Sequence, residues 1–267
     1  MGKDDLGDVA EEWFERYLNE RGYTFEAEPD LDTGKFADRL VSAGEHLVMC
    51  EVKSFAGEGI FSGTTFQETG TPGIRISQPR ARTQAKMLQP LRKQIKKAAA
   101  QLKPLQDRAW PLMVVLANPM NAPVPMEPTE VIAAMYGDLE GWGSLDEEGG
   151  LDLQWAAGHN GQLTSTHSYI SAVAMLHHRH YAQDWVNGWF DANRNKFARF
   201  QDLMAALRQA DADSQVPTGD YVYLDVFETI SDDAVPLPRD IFNGFLDHRF
   251  IPTPQGDGLA LMAPPEP

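Results

Sequence analysis

A chain of 267 residues, 42% hydrophobic and 23% charged, is long enough to bury a full core and ordinary enough in composition to be a soluble globular protein. Its net charge of −16 opposes non-specific attraction to a polyanion, and its single cysteine, Cys50, excludes an internal disulfide framework. No apolar run reaches the length of a membrane span and no signal peptide is legible, so a cytoplasmic protein with no membrane partner is expected.

Asp4 or Asp5 caps a predicted helix over residues 6–21, which Gly22 ends. On a helical wheel Leu6, Val9, Ala10, Trp13, Phe14, Tyr17 and Leu18 fill one arc, the mark of a helix packed on a sheet. Glu11 lies at the edge of that arc, whereas Glu12 and Glu15 fall further out. Of the helix glutamates Glu11 is therefore best placed to look across the sheet. Residues 23–28 read as a strand and 29–34 as a turn.

The stretch FADRLVSAGEHLVMCEVKSF, residues 36–55, organises the chain. It reads as a short strand, a turn at 42–45, and an apolar strand from 47 to 52 that ends on charges. Such a hairpin puts Asp38 and Glu51 on neighbouring strands. A buried strand that finishes in Glu51 and Lys53 needs a reason, because desolvated charges are normally paired or metal-bound. Two carboxylates and a lysine converging there make a site for Mg²⁺ and phosphate.

Residues 56–82 lack periodicity; they are expected either to close over a substrate or to be disordered. Between Thr69 and Ala109 the chain carries ten cations, among them Arg82, Arg92, Lys93, Lys96, Lys97 and Lys103, against Asp107 alone. That segment is +9 and the rest of the chain −25. An acidic protein that gathers nearly half its cations in one place has the asymmetry of a groove for a polyanion; a solvated helix face is the plainer alternative. The helix expected over 90–103 carries an inner stripe of Leu91, Ile95, Ala98, Ala99 and Leu102, with Gln94, Lys97 and Gln101 along one flank. Residues 112–117, LMVVLA, read as a strand buried on both faces.

Beyond Pro119 the pattern predicts a short helix at 127–136, strands at 151–156 and 221–227, a largely helical, aromatic segment at 169–207, and a Pro-rich end with a disordered tail. The expected organisation is a core at 1–120 and a mostly helical extension at 121–267.

Gly7-Asp8-Val9-Ala10-Glu11 opening a helix that runs to Tyr17-Leu18, then Arg21-Gly22-Tyr23, Asp38, and Glu51-Val52-Lys53 after a strand, resemble the PD-(D/E)XK, or restriction-endonuclease-like, nuclease superfamily, closest to its Holliday-junction-resolvase-like subset. The resemblance covers under half the chain, about 110 residues if the basic helix and the strand at 112 are included. Two departures are visible. Phe36 and Ala37 precede Asp38 where the motif name has proline. Gln94 is followed four residues later by Ala98, where some end-processing relatives have tyrosine.

The resemblance implies an α/β core of helix, three strands, helix and strand. It implies Asp38, Glu51 and the Val52 carbonyl as ligands of Mg²⁺ or Mn²⁺, Lys53 as the group that orients water or offsets phosphate charge, and Glu11 as holder of a second ion or of a metal-bound water. Gln94, Lys97 and Gln101, with Lys93 and Arg82, are the expected contacts to nucleic acid. The expected function is hydrolysis of phosphodiester bonds, in DNA. A catalytically silent adaptor of the same fold, in a defence or DNA-processing complex beside a helicase or another subunit, is the alternative. A structural protein whose carboxylates only pair with Lys53 is a third reading, and self-association stays open.

His177, His178 and His180, with His159 and His167, lack the spacing of zinc hydrolases and are expected to pack or lie on the surface. Tyr181, Trp185, Trp189 and Phe190 recur at helical spacing and are expected in a core rather than as a base-stacking platform.

Overall fold

The computed structural model describes residues 3–30, 37–55, 67–68, 75–76, 83–145, 151–157, 160–164, 166–213, 216–254 and 258–262. Much of 56–82, including Arg82, lies outside them, as do His159 and the tail 263–267.

The protein is a mixed α/β fold built on one eight-stranded sheet. Helix α1 (Lys3–Glu20) is followed by β1 (Thr24–Ala27), β2 (Arg39–Ala43) and β3 (His46–Ser54). Short strands β4 (Gln67–Glu68) and β5 (Arg75–Ile76) pair with each other. Then come α2 (Gln84–Met87), α3 (Gln89–Leu102) and β6 (Leu112–Ala117). Helix, three strands, helix and strand therefore succeed one another as expected, with β4, β5 and α2 interposed. Gly44, at φ +60°, takes the left-handed turn between β2 and β3 that an L side chain resists, and Arg39 pairs with Cys50 across the hairpin.

Strand β3 runs antiparallel to β2 and parallel to β6, with Glu51 opposite Val114 and Lys53 opposite Leu116. All six residues of β6 are buried, with β3 and β9 flanking it and α3 packed against it. Helix α1 packs against β3 and buries Leu6, Ala10, Phe14, Tyr17 and Leu18. Helix α3 buries the expected stripe of Leu91, Ile95, Ala98, Ala99 and Leu102 against β3 and β6.

The segment 121–267 is not mostly helical. Besides α4 (Pro128–Tyr136), α5 (Tyr181–Asn193) and α6 (Phe200–Ala212), it contains β7 (Leu139–Leu145), β8 (Leu151–Ala157), β9 (Ala172–His180), β10 (Asp220–Glu228), β11 (His248–Pro252) and β12 (Leu259–Leu261). Four of these join the main sheet, whose order is β1-β2-β3-β6-β9-β10-β11-β12. Strand β9 was hidden in the segment expected to be helical. Its Ala-Val-Ala-Met-Leu run favours a helix locally, but pairing beside β6 and burial of Ala172 to Leu176 decide for a strand. The chain does not divide at residue 120 either. One compact unit comprises 1–176 with 224–267; the other comprises 177–223.

The larger unit is laced together by its last third. Tyr17 donates its hydroxyl to Asp247 Oδ2 at 2.7 Å, and the same carboxylate accepts from the backbone N–H groups of Leu224 and Gly244. Tyr23 Oη accepts from Phe242 N at 2.9 Å, and the Phe242 ring packs against both Tyr17 and Tyr23. Residues 160–164 lie against the end of α4, with Leu163 N donating to Met135 O at 2.8 Å. A Cβ at Gly161 would land on the backbone of Tyr136 and Gly137. Gly161→Ala is therefore expected to cost about 1–3 kcal/mol, since backbone cannot give way as a side chain would, measurable as a shift of the urea midpoint.

In the smaller unit, α5 has no buried residue, so Tyr181, Trp185, Trp189 and Phe190 are not the core that their spacing suggested. His178 pairs with Asp220 at 3.0 Å and His177 stacks on Tyr223. No helix among the described residues is long and apolar enough to cross a membrane.

Candidate active site

Strand β3 carries Glu51, Val52 and Lys53 just before its last residue, Ser54, and β2 begins immediately after Asp38. The hairpin register brings the two ends together. The Val52 N–H donates to Asp38 Oδ2 at 2.7 Å, which fixes the aspartate against β3. Lys53 Nζ donates to the Val52 carbonyl at 3.0 Å and to Glu51 Oε1, and lies 3.6 Å from Asp38 Oδ2. Three oxygen atoms, two from carboxylates and one from the main chain, thus converge on a single cationic point.

Glu51 is fully buried, whereas Asp38 and Lys53 retain about a fifth of their side-chain surface. Burial first, and the charge of Asp38 second, push the Glu51 carboxyl up from the ordinary 4.5 to about 7, with Lys53 opposing both. Glu51 Oε2 is buried without a hydrogen-bond partner among the described residues. A buried carboxylate oxygen left unmatched is costly unless a cation or proton meets it. Cys50 is fully buried on the same strand, and burial beside Asp38 and Glu51 pushes its thiol well up, which removes it as a nucleophile.

Glu11 comes near this cluster without entering it. Its Oε2 accepts from Arg39 Nη2 at 2.9 Å; the same nitrogen donates to Glu15 Oε1 at 2.5 Å, and Arg39 Nη1 donates to Asp38 O at 2.5 Å. The Glu11 carboxyl is pushed up, by burial first and by Asp38 second, while Arg39 pulls it down. Among the described residues no group of three or more His, Cys, Asp or Glu is arranged to hold a metal ion. Sequence reading missed Arg39 and Glu15. The available signal was the i,i+4 spacing of Glu11 and Glu15 on one helix face, facing the residue next to Asp38.

Along α3, Lys93, Lys97 and Gln101 are exposed. Gln94 is not: its amide donates to Ser54 O at 2.9 Å and ties α3 to the end of β3. Arg92 is consumed structurally, donating to Ala133 O, Asp138 and Asn160. Arg82 lies outside the described residues. A wide open cleft of about 590 Å³, lined by Arg21, Tyr23, Ser42, His46 and Asp240 among others, shares no residue with Asp38, Glu51 or Lys53. Compared with known proteins, the chain matches no family model, no curated protein and no solved structure.

Proposed function

We propose that the chain is a metal-dependent nuclease that hydrolyses phosphodiester bonds in DNA. The observation that carries this reading is the convergence of Asp38 Oδ2, Glu51 Oε1 and Val52 O on one cationic point beside a buried, unmatched Glu51 Oε2. An all-oxygen donor set fits Mg²⁺ or Mn²⁺, and Asp38, Glu51 and the Val52 carbonyl are the residues to hold it. A bound ion of this kind supplies Lewis acidity, offsetting charge at the scissile phosphate and making water a better nucleophile.

The chain's own groups do the rest. Lys53 presents a compact ammonium that hydrogen-bonds a phosphate oxygen or holds the attacking water. Lys93, Lys97 and Gln101, exposed on α3, contact the nucleic-acid backbone and position it without reading its sequence. Gln94 acts at one remove, by holding α3 at the end of β3. The −25 carried by the remainder of the chain repels a polyanion elsewhere and leaves the α3 face as its favoured approach.

A second reading draws on the same cluster. Lys53 already pairs with both Asp38 and Glu51, and carboxylates held by an internal lysine suit a silent nuclease-fold adaptor that binds nucleic acid without cutting it. The two separate when the protein is incubated with plasmid and Mg²⁺ or Mn²⁺ alongside Glu51→Ala and Lys53→Ala. Cleavage that both substitutions remove supports the nuclease; salt-sensitive binding without cleavage supports the adaptor and sinks the nuclease.

A further inference from the structure

We propose that Arg39 serves as a built-in cation for the α1 carboxylates, so that the site takes one divalent ion, at Asp38 and Glu51, and Glu11 ligates no second one. The inference rests on the nuclease reading and sharpens it to an ion count. Arg39 leaves β2 on the Cys50 side of the hairpin, and its side chain is only 6% exposed, against 31% for Glu11 and 35% for Glu15. From there one guanidinium nitrogen reaches Glu11 at 2.9 Å and Glu15 at 2.5 Å. Its neighbour takes the Asp38 carbonyl. Arg39 Nε has no partner among the described residues, so these three acceptors alone set where the guanidinium points.

A guanidinium cannot lose its proton at any working pH, so this charge is permanent. A divalent ion bound by Glu11 would sit in contact range of a buried positive group, and the like-charge repulsion is large where water is scarce. Glu11 would also have to abandon Arg39, leaving it short of a partner in a buried position. Arg39 bonds Asp38 at its main-chain carbonyl, while the Asp38 carboxylate is turned to β3, where the Val52 N–H donates to Oδ2. Arg39 is thus a positioning residue: it fixes α1, holds the backbone of Asp38, and confines the ion to one place.

The test is a Mn²⁺ titration of the full chain, followed by electron paramagnetic resonance, which reports both the number of ions and whether two of them are spin-coupled. Wild type is expected to bind one uncoupled Mn²⁺ that Glu51→Ala removes. Arg39→Gln is expected to admit a second, spin-coupled ion, and Arg39→Lys to restore the single one. A coupled pair in wild type that Glu11→Gln reduces to one ion overturns the role of Arg39 and leaves the nuclease reading standing. Arg39→Gln that folds and still binds a single ion overturns it too. Wild type with no Glu51-dependent Mn²⁺ overturns both. Should Arg39→Gln not fold, Glu11→Gln decides alone: one ion of unchanged affinity supports the inference, and loss of that ion or affinity weakened by about tenfold overturns it.

Discussion

Glu51→Gln is expected to make the metal-free protein more stable at pH 8 while lowering cleavage by about 10²–10³-fold. The two effects share a cause. In the fold the Glu51 carboxyl titrates near 7, and in the unfolded chain near 4.5. Between those values the folded protein keeps a proton that the unfolded chain has released. The stability this group contributes is therefore fully present below about 4.5 and is lost as pH rises through 7. The shift corresponds to about 3 kcal/mol at pH 8. Glutamine keeps the shape and an acceptor for Lys53 but never ionises, so it removes that loss.

What it also removes is the charge that a divalent ion needs, and deleting one such electrostatic group from an active site costs about 10²–10³ in turnover. Melting curves in EDTA at pH 5 and pH 8 read the first effect, and plasmid cleavage reads the second. Wild type should regain stability at pH 8 on addition of Mg²⁺, by mass action, and the variant should not. Equal pH dependence of the two proteins would remove Glu51 as the group responsible.

Arg249→Met is expected to destabilise the larger unit by about 3–5 kcal/mol, the usual result of stripping one partner from a buried ion pair. Arg249, on β11, is 2% exposed. It donates to Glu228 Oε1 at 2.7 Å and to the carbonyls of Pro238, Ile241 and Leu237 at 2.7 to 2.9 Å. One side chain thus fastens the loop after β10 to the sheet, and its loss strands a carboxylate and three carbonyls together. Equilibrium denaturation in urea measures the cost. Replacing Glu228 with leucine in the same molecule should recover part of it, because the stranded charge is then gone. A loss under about 1 kcal/mol would mean that water reaches these groups once the guanidinium is removed.

The parts of the fold that were legible in the sequence are those where local pattern and tertiary environment agree. Leu112 to Ala117 is apolar throughout because the strand is buried on both faces, and α3 shows its stripe because only one side meets the sheet. Asp38, Glu51 and Lys53 stood out because charge at the end of a buried strand is anomalous, and the hairpin does bring them together. Strand β9 was illegible because alanine, methionine and leucine favour a helix and only its neighbours in the sheet decide otherwise. Strands β11 and β12 are short and lie among prolines, so their pairing, Phe250 with Leu261 for example, leaves no periodic trace. Arg39 looked like any arginine, since its meaning depends on two glutamates more than twenty residues earlier in the chain.

The bond from Tyr17 to Asp247 ties the timing of the candidate site to protein synthesis. Helix α1, which carries Glu11 and Glu15, leaves the ribosome long before Asp247, so one of its anchors does not exist until residue 247 has been translated. The nascent chain thus holds an acidic helix whose final seat is still unmade, and the two glutamates that Arg39 holds cannot settle until the chain has grown past Asp247. If the cluster at Asp38 and Glu51 matures only after that bond can form, a product truncated before residue 247 would carry Asp38, Glu51 and Lys53 and, on the proposed function, remain inert.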